Sequence, residues 1–351
     1  MTRIALVAPY APPVHGGIST FVSGLSQILK ENGHEVSTLA GEGRGDQERH
    51  SDLGVGRTFA SKVSDRLEAI RPEVVHCHSH WYALAAGVRY CRRNPDARLV
   101  FSFHTTSIPF LRPLFGRLLS RAHVSTFVSA AQLSELRSVY RLGGDLRVLR
   151  PATLGVRFAP SESVTSKDIY NLDGAFPILM FVGPLEYPQK VAGVIDLVQA
   201  FANIRRTYPR ARLLIVGDGT QRARVDAVVA ALNESVTVTG FVDDPRGLLA
   251  RADVYCHISR QEGLPTALLE AMSQGCCVIG SRVGGIPEVL DDSNGVVVGA
   301  QPTDVEHAIL SLLEDPSRRK KLGETARRTI NQFYTWEARL PQILNIYGLA
   351  G

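Results

Sequence analysis

The stretch that decides the fold of this chain is Arg260-Gln261-Glu262-Gly263-Leu264-Pro265-Thr266-Ala267-Leu268-Leu269-Glu270-Ala271-Met272. It predicts a loop followed by a helix, because Pro265 suits a first helical turn, where its missing N–H is no loss. Apolar residues recur at helical spacing and predict one buried face, formed by Leu264, Leu268, Ala271 and Met272. Gly275 can then close the helix in a left-handed conformation.

The stretch carries two glutamates, and one of them stands among apolar residues. Glu270 is flanked by predicted core positions, where a carboxylate needs a hydrogen-bonding partner. Helical side chains lean towards the N-terminus, so Glu270 can point back at the loop that carries Glu262. The two carboxylates then flank a helix N-terminus whose free N–H groups attract anions. This suits a molecule with hydroxyls at one end and phosphates at the other, although a solvated or ion-paired carboxylate remains the alternative.

A second motif follows and predicts a short buried strand, a Gly-Gly turn and a helix start. It runs Gly275-Cys276-Cys277-Val278-Ile279-Gly280-Ser281-Arg282-Val283-Gly284-Gly285-Ile286-Pro287-Glu288. Glu262-Gly263-Leu264-Pro265 through Glu270-Ala271-Met272, followed by Gly284-Gly285-Ile286-Pro287-Glu288, closely resembles the retaining glycosyltransferases of family 4. The resemblance covers nearly the whole chain. It implies the GT-B fold, an α/β architecture of two Rossmann-like domains whose parallel sheets face an interdomain cleft.

Length and composition agree with two globular domains. The chain has 351 residues, of which 44% are hydrophobic and 21% charged. No apolar run approaches the roughly 18 to 20 residues of a membrane span, and no signal peptide precedes the first strand, so a cytoplasmic protein is expected. The five cysteines have no metal spacing, which favours a reducing compartment. A net charge of +5 favours anionic partners without choosing among nucleotide diphosphates, anionic lipids and nucleic acid.

The first domain is predicted over residues 1–160, as the N-terminal, acceptor-side Rossmann-like domain. It opens with a buried strand over 4–8, a loop containing Gly16 and Gly17, and a helix. This layout brings backbone close to a phosphate, although the same pair can be only a tight turn. Without Gly-x-Gly-x-x-Gly the dinucleotide interpretation is weak. In the family the Gly pair faces the donor phosphates, and Gly16 and Gly17 match it.

Histidines gather at two predicted strand ends in this domain. His76, His78 and His80 alternate, which can suggest a metal, but no carboxylate or Cys cluster completes a site, so structural or cleft-lining roles are favoured and no metal is predicted. His104 follows a strand over 99–103, at the end where ligands of such sheets bind. The family carries a His after this strand, lining the donor sugar site, and His104 matches it.

Residues 108–122 predict a basic amphipathic helix. Its apolar residues alternate with arginines, and the two sets are Phe110, Leu111, Leu114, Phe115, Leu118 and Leu119, and Arg112, Arg117 and Arg121. A helix of this type can lie on an anionic membrane. The alternative is a domain helix with a charged outer face.

The rest of the chain predicts a linker, a second domain and a terminal helix. Residues 161–175 are polar and form the linker, and residues 176–332 form the C-terminal Rossmann-like, nucleotide-sugar-binding domain. Helix patterns and strands alternate there and predict a parallel sheet covered on both faces, with helices at 190–206, 220–232 and 245–251, and strands at 178–182, 212–216, 236–239 and 253–258. In the family, loops matching Gly217 and Phe241-Val242 surround the base and ribose. Residues 333–351 predict a C-terminal helix, which GT-B chains often send back onto the first domain.

Near the start of the second domain the chain departs from the family pattern. The family usually has Val-Gly-Arg-Leu with a Lys six residues beyond the Arg, whereas this chain has Pro184 in place of the Arg. Lys190 stands at the Lys position, and Val191 replaces the usual following Gly. The missing Arg allows a variant or weakened enzyme, unless Arg260 or Arg150 supplies the charge.

The resemblance implies a reaction and a site. A hexose-type sugar would move from a nucleotide diphosphate of the UDP or GDP type to an acceptor hydroxyl, with retained configuration, in polysaccharide or glycolipid biosynthesis. The donor-binding positions would be Gly16, Gly17, Lys190, Gly217, Phe241, Val242, Glu262, Gly263, Leu264, Pro265, Thr266 and Glu270. Glu262, His104 and Lys190 would be catalytic: charge develops on the diphosphate mainly in the transition state, so cations and amides there increase rate.

No cofactor or metal is expected beyond the nucleotide sugar. The resemblance also implies attack on the same face of the sugar, with the donor phosphate taking the acceptor proton. The partners would be the donor, a lipid-linked or saccharide acceptor and an anionic membrane surface on the inner face. Two alternatives stay open: a nucleotide-sugar-binding partner subunit that has lost turnover, motivated by Pro184, and a sugar-nucleotide epimerase on the same fold. A nucleic-acid binder is disfavoured, because the arginines are not interleaved with stacking aromatics on a recognised module.

Overall fold

The chain folds as two compact units. The computed structural model describes residues 1–10, 16–42, 53, 56–105, 112–140, 142, 144–153, 170–299 and 301–350. The first unit comprises Met1–Ala152 and Trp336–Gly351, and the second comprises Thr153–Thr335. Most of the predicted linker, over 161–169, lies outside the described residues.

The first unit is built on a six-stranded parallel sheet. Its strands are β1 (Arg3–Tyr10), β2 (Glu35–Glu42), β3 (Val74–His78), β4 (Arg98–Phe103), β5 (Val124–Phe127) and β6 (Asp145–Val148). They lie in the order β2-β1-β3-β4-β5-β6, and Ile4 of β1 is opposite both Val36 of β2 and Val74 of β3. All five residues of β3 are buried, as expected of a parallel sheet covered on both faces.

Six helices of the described residues cover this sheet. They are α1 (Gly17–Glu31), α2 (Gly56–Ile70), α3 (Trp81–Cys91), α4 (Arg112–Leu119), α5 (Ala130–Val139) and, from the far end of the chain, α12 (Trp336–Tyr347). α1 buries the apolar stripe that its sequence predicts, including Ile18, Phe21 and Leu25. The described part of the predicted amphipathic segment is α4, and its Phe115 and Leu119 are buried in the core of the unit.

The C-terminal helix α12 is an integral part of the first unit. The Trp336 indole packs so closely on Gly24 of α1 that a Cβ atom there would overlap it, and it makes an edge contact with Phe21 at 5.1 Å between ring centroids. At the other end of α12, the Tyr347 hydroxyl lies 2.8 Å from His76 Nδ1. The helix thus completes the core on one face of the sheet.

The second unit repeats the architecture with a second six-stranded parallel sheet. Its strands are β7 (Ile178–Val182), β8 (Arg212–Val216), β9 (Val236–Gly240), β10 (Val254–His257), β11 (Val278–Ser281) and β12 (Val296–Val298), in the order β12-β11-β10-β7-β8-β9. Its helices are α6 (Pro188–Thr207), α7 (Arg222–Val229), α8 (Arg246–Leu249), α9 (Thr266–Ser273), α10 (Pro302–Glu314) and α11 (Pro316–Phe333).

Three predicted helix boundaries in this unit are wrong. The helix predicted over 220–232 ends at Val229 and continues as 3₁₀ turns over Ala230–Ser235, because Asn233 adopts a left-handed φ of 48° that no α-helix accommodates. The helix predicted over 245–251 has only four residues, Arg246–Leu249. Pro265 is the N-cap of α9 in an extended conformation, so the helix begins at Thr266 instead of at the proline.

Candidate functional site

The candidate site of the second unit lies at the carboxyl ends of its strands. After β7 the chain adds β8 and β9 on one side and then β10 and β11 on the other, so the winding direction reverses between β7 and β10. Ligands of open α/β sheets bind beside such a reversal, outside the carboxyl ends of the strands. Gly217 follows β8, Phe241 and Val242 follow β9, and Glu262 follows β10. The fold therefore brings these predicted positions to one edge of the sheet.

The glycines of the second motif shape the loop that carries Glu262. Gly284 has a φ of +52°, and a Cβ atom at this position would overlap the carbonyl of Glu262. The next residue, Gly285, donates its N–H to the Gly263 carbonyl at 2.6 Å. The Gly-Gly turn thus packs against the backbone of the loop and supports it, a physical role that the sequence motif alone does not reveal.

A similar close approach shapes the loop after β8. Gly217 has a φ of +152° and Gly219 one of +158°. A Cβ atom on Gly217 would overlap the Gly183 carbonyl, and one on Gly219 would overlap the backbone of Leu185. The loops after β7 and β8 therefore pack backbone to backbone, which only glycine allows at these two positions.

Glu262 and Lys190 form an ion pair. The Lys190 Nζ lies 3.0 Å from Glu262 Oε1, and the side chains are 12% and 8% exposed. His257 Nε2 lies 3.0 Å from the same oxygen. Burial favours the neutral acid, but the Lys190 ammonium and the His257 hydrogen bond outweigh it and lower the pKa of Glu262 to about 2. Glu262 is consequently a carboxylate throughout the physiological range.

His257 extends this cluster into the core. It lies in β10, and its Nδ1 is 3.0 Å from the Tyr255 hydroxyl. Its ring stacks on Phe181 at 5.4 Å between centroids. Burial lowers the pKa of His257, with Lys190 adding to that effect and Glu262 opposing it, so the ring is neutral near pH 7. Tyr255 and His257 are not among the site residues predicted from the sequence; their alternation in an otherwise apolar strand is the signal that could have identified them.

Glu270 has a different environment from Glu262. No described residue donates a hydrogen bond to its carboxylate, although one was expected from its apolar flanks. Its charged neighbours are Arg246 and Asp244, which bond to each other at 2.6 Å. Burial raises the pKa of Glu270, with Arg246 opposing and Asp244 reinforcing the change. The group is therefore a half-buried acceptor to which none of the described residues donates a hydrogen bond.

The N-terminus of α9 stands between the two glutamates in sequence. Its N-cap is Pro265, which makes no side-chain capping bond. The first N–H groups of the helix, which no intrahelical acceptor can reach, are thus not satisfied by a cap. Such a terminus attracts an anion through its free N–H groups and the helix dipole.

Lys190 is placed by contacts between α6 and the loop after β10. Gly193 of α6 lies so close to the Ile258 carbonyl that a Cβ atom would overlap it, and the Arg260 N–H bonds to the Gln189 carbonyl at 3.2 Å. The Arg260 guanidinium holds Asp196 with two hydrogen bonds of 3.0 Å. Arg260 therefore links the loop after β10 to α6, while its side chain remains 49% exposed, and its suggested role in place of the missing Arg at position 184 stays a prediction.

In the first unit, Gly16, Gly17 and His104 are connected through α1. Gly16 is the N-cap of α1 with a φ of 147°, and Gly17 is the first helical residue. Phe21, one turn further on, makes an edge contact with His104 at 4.7 Å between ring centroids. The fold therefore places the helix N-terminus and the predicted His on the same side of the first unit's sheet.

His104 is also bonded to His78, and this contact indicates its tautomer. His104 Nε2 lies 3.1 Å from His78 Nδ1, while His78 Nε2 is buried without a hydrogen-bond partner. A buried N–H without an acceptor is rare, so the proton of His78 belongs on Nδ1, from which it is donated to His104 Nε2. His104 then carries its own proton on Nδ1. Burial lowers the pKa of His104 to about 3, which keeps the ring neutral.

Neither a metal site nor a membrane span is found in the part of the chain that the structure describes. No group of three or more His, Cys, Asp or Glu residues there is arranged to hold a metal ion. His76 is instead tied to Tyr347 and, through Nε2 at 2.6 Å, to the Ser102 hydroxyl. Among the described helices, none combines the length and apolarity that crossing a membrane requires.

The fold of the described chain is similar to that of a protein of known structure. Sucrose-phosphate synthase from Thermosynechococcus elongatus aligns over 99% of this chain and 98% of its own, with a TM-score of 0.83 and 21% sequence identity. The two α/β units are each built on a parallel sheet with polar residues at the carboxyl ends of its strands, and this defines the class of protein. The chain has a GT-B fold.

Sequence comparison then identifies the family. Residues 15–152 match the model of Glycosyltransferase Family 4, and residues 176–315 match that of Glycosyl transferases group 1. A curated relative, the N-acetyl-alpha-D-glucosaminyl L-malate synthase of Bacillus anthracis, is 28% identical over 82% of this chain and 78% of its own length. Another, the phosphatidyl-myo-inositol mannosyltransferase of Propionibacterium freudenreichii, is 27% identical over 99% of this chain and 95% of its own. The chain belongs to the family 4 glycosyltransferases.

Proposed function

We propose that this glycosyltransferase moves a hexose-type sugar from a UDP- or GDP-linked donor to an acceptor hydroxyl with retention of configuration. The observation that carries the proposal is the ionised Glu262 paired with Lys190, on the loop that leads into the uncapped N-terminus of α9. This arrangement offers a carboxylate to sugar hydroxyls, and a cation and free N–H groups to a diphosphate.

The proposed donor site assigns a task to each part of the second unit. Glu262 accepts from the sugar hydroxyls. Glu270, to which no described residue donates a hydrogen bond, accepts from the ribose hydroxyls. The backbone from Gly263 through Leu264 and Pro265 to Thr266 contacts sugar and phosphate. Gly217, Phe241 and Val242 surround the base, where the Phe241 side chain is 46% exposed. Gly16, Gly17 and His104 are the first unit's contribution to donor binding.

In the proposed reaction the bond between the anomeric carbon and the phosphate oxygen breaks, and a bond to the acceptor oxygen forms on the same face of the sugar. The acceptor proton passes to the departing diphosphate, so no protein nucleophile is needed. Negative charge on the diphosphate grows in the transition state, where the Lys190 ammonium and the α9 amides stabilise it more than in the ground state. No metal takes part in this proposal, so transfer is expected to persist in chelator.

The proposed acceptor is lipid-linked or a saccharide, in glycolipid or polysaccharide biosynthesis at the cytoplasmic face of a membrane. The mannosyltransferase relative bears the name of a lipid acceptor, phosphatidyl-myo-inositol. In α4, Leu114 is 51% exposed and Arg117 is exposed on a neighbouring part of the helix. Because Phe115 and Leu119 are buried in the core, only part of the predicted segment 108–122 is offered for contact with anionic lipid, and its residues 108–111 lie outside the described chain.

A thermal-shift screen of nucleotide sugars, followed by transfer assays with the donors that bind, tests the function. A donor at a hundred times its Kd adds about 2.7 kcal/mol to the free energy of unfolding. Transfer of labelled sugar with retained anomeric configuration supports the proposal. Donor conversion without any acceptor indicates an epimerase instead. Binding without turnover, for the wild type and for Pro184→Arg, indicates a nucleotide-sugar-binding partner subunit with weakened catalysis. The exposed Pro184 in place of the usual Arg motivates this alternative.

A further inference from the structure

A buried chain of hydrogen bonds reaches from the core of the second unit to Glu262. It runs from the Tyr255 hydroxyl to His257 Nδ1 at 3.0 Å, and from His257 Nε2 to Glu262 Oε1 at 3.0 Å. The His257 side chain is 1% exposed, and its ring is held between Tyr255 and the stacked Phe181. It therefore has no room to change rotamer.

The chemistry of the partners assigns the protons in this chain. An ionised carboxylate only accepts hydrogen bonds, so His257 Nε2 carries a proton and donates it to Glu262. The neutral ring then has a lone pair on Nδ1, which accepts from the Tyr255 hydroxyl. The alternative acceptor of that hydroxyl, the Val182 carbonyl, lies further away at 3.3 Å. Tyr255 thus selects the one tautomer of His257 that can hold Glu262.

The two donors to Glu262 share one oxygen. Lys190 and His257 both reach Oε1, and no described residue donates a hydrogen bond to Oε2. The carboxylate is therefore held by one oxygen and has the other available for a hydroxyl. Lys190 has a second proposed partner in the diphosphate, for which it must share or leave Glu262. For His257 Nε2, the described residues offer no acceptor other than Glu262.

We infer that His257 is a positioning residue. Tyr255 holds His257, and His257 in turn fixes the Glu262 carboxylate and keeps it ionised while Lys190 turns to the donor diphosphate. The inference rests on the proposed function for the role of Glu262 but not for the hydrogen bonds themselves. His257 contacts Glu262 and not the substrate, so its effect on the reaction is transmitted through that one carboxylate.

Kinetics of three variants test the inference. His257→Leu removes the donor at similar volume and is expected to lower kcat about tenfold to a hundredfold, with a smaller change in the KM of the donor. His257→Gln retains an N–H donor near the position of Nε2 and should recover most of that loss. His307→Leu makes the same change at an exposed histidine of the same unit and should leave the kinetics unchanged.

The pH profile separates positioning from a merely structural role. Without the His257 donor the pKa of Glu262 rises, so the acidic limb of the kcat profile should move to higher pH in His257→Leu and stay in place in His257→Gln. A structural role would lower the fraction of folded protein, which circular dichroism measures at each pH, and would leave the limb unmoved once kcat is expressed per folded enzyme. An unmoved limb, or equal losses in the Leu and Gln variants, overturns the inference.

A measurement without turnover distinguishes this inference from the proposed function. In the ligand-free protein, carboxyl ¹³C and imidazole ¹⁵N NMR should show His257 protonated on Nε2 and a higher titration midpoint for Glu262 in His257→Leu. The midpoint should rise further when Lys190→Met is added. If these hold and no donor is turned over, the proposed function fails and the positioning stands. If His257 is protonated only on Nδ1, the positioning fails whatever the enzyme does.

Discussion

The two carboxylates of the candidate site, Glu262 and Glu270, differ in the residues that surround them. Glu262 is ionised and held by Lys190 and His257, whereas Glu270 is half-buried, accepts no hydrogen bond from a described residue and has a raised pKa. A ligand hydroxyl that donates to Glu270 adds a hydrogen bond that the described residues do not supply, and this favours binding. A hydroxyl that donates to Glu262 meets a carboxylate already fixed in place, which favours an oriented reaction.

Replacing each of the two glutamates should therefore affect a different property, donor binding or kcat. We expect Glu270→Gln to weaken donor binding and Glu262→Gln to lower kcat, each by the roughly 1.5 to 3 kcal/mol of a hydrogen bond to a charged group. Calorimetric titration with the donor and steady-state kinetics measure the two effects separately. Glu314→Gln, at an exposed position of the same unit, is the control. Wild-type constants in both variants would remove the glutamates from the site.

Lys190 should be the main side-chain cation for the diphosphate. Pro184 replaces the usual Arg, and Arg260 is engaged with Asp196. We expect Lys190→Ala to lower kcat about a hundredfold, or 2 to 3 kcal/mol of transition-state stabilisation, with Lys320→Ala on the exposed face of α11 as the control.

A double-mutant cycle over positions 184 and 190 tests whether the two positions share that task. Pro184→Arg should restore part of the activity of Lys190→Ala and have less effect in the wild type. Transfer at the wild-type rate in Lys190→Ala would show that another group holds the leaving diphosphate.

At the scale of elements, the loop after β10 depends on the Gly-Gly turn beneath it. Gly284→Ala adds the strain of a left-handed φ to an overlap with the Glu262 carbonyl, so the loop must shift. We expect kcat to fall at least tenfold and stability by more than about 1 kcal/mol. Gly174→Ala is matched for strain, since its φ is +71° and nothing lies within 4 Å of the added Cβ. Equal losses of activity in both variants would contradict a role for the overlap.

Helix α4 offers a test of membrane contact. Reversing the charge of Arg117 and Arg121 should abolish binding to vesicles with anionic lipid, and added salt should weaken binding of the wild type. Lys320→Glu with Lys321→Glu changes the net charge equally on α11 of the second unit and should leave binding intact. If both pairs reduce binding equally, the attraction is to overall charge; if the wild type ignores anionic vesicles at low salt, α4 is only a domain helix.

The elements could be predicted further than the site. Apolar strands alternating with amphipathic helices predict two parallel sheets, because each pattern depends on residues close in sequence and extends over many of them. Helix ends were missed where a single backbone angle decides them, as at Asn233 and Pro265. The partners of Glu262 were missed because they come from α6 and β10, and no local pattern records which side chains meet across a sheet edge.

For the whole molecule, the uneven distribution of buried histidines predicts that acid destabilises the first unit more than the second. Burial and the neighbouring histidine lower the pKa of His76 to about 3, and burial gives His104 a similar value, while the unfolded chain takes up protons near 6.5. The stability these neutral rings contribute is complete above pH 6.5 and is lost as the pH falls towards 3, with a slope of up to about 1.4 kcal/mol per pH unit for each.

Among the described residues of the second unit one buried histidine, His257, acts in the same direction, and two carboxyl groups act in opposite directions. The raised pKa of Glu270 stabilises its unit as pH falls, and the stability from Glu262 is lost only between about pH 4.5 and 2. Scanning calorimetry of the full chain from pH 7 to 4 should show one transition moving down faster than the other. His76→Gln should reduce that movement, whereas His307→Gln should not. Transitions that move together would contradict the prediction.

The return of α12 to the first unit sets an order of events during synthesis. Ala152 and Trp336 belong to the same core, yet a ribosome must translate Thr153–Thr335 between them. At about 5 to 20 residues per second this takes roughly 10 to 40 s. Throughout that interval the surface of α1 at Gly24 and Phe21 lacks the Trp336 indole that covers it in the folded chain. The first unit therefore cannot be completed before the whole second unit has been translated, and a nascent-chain chaperone would find exposed apolar surface on α1.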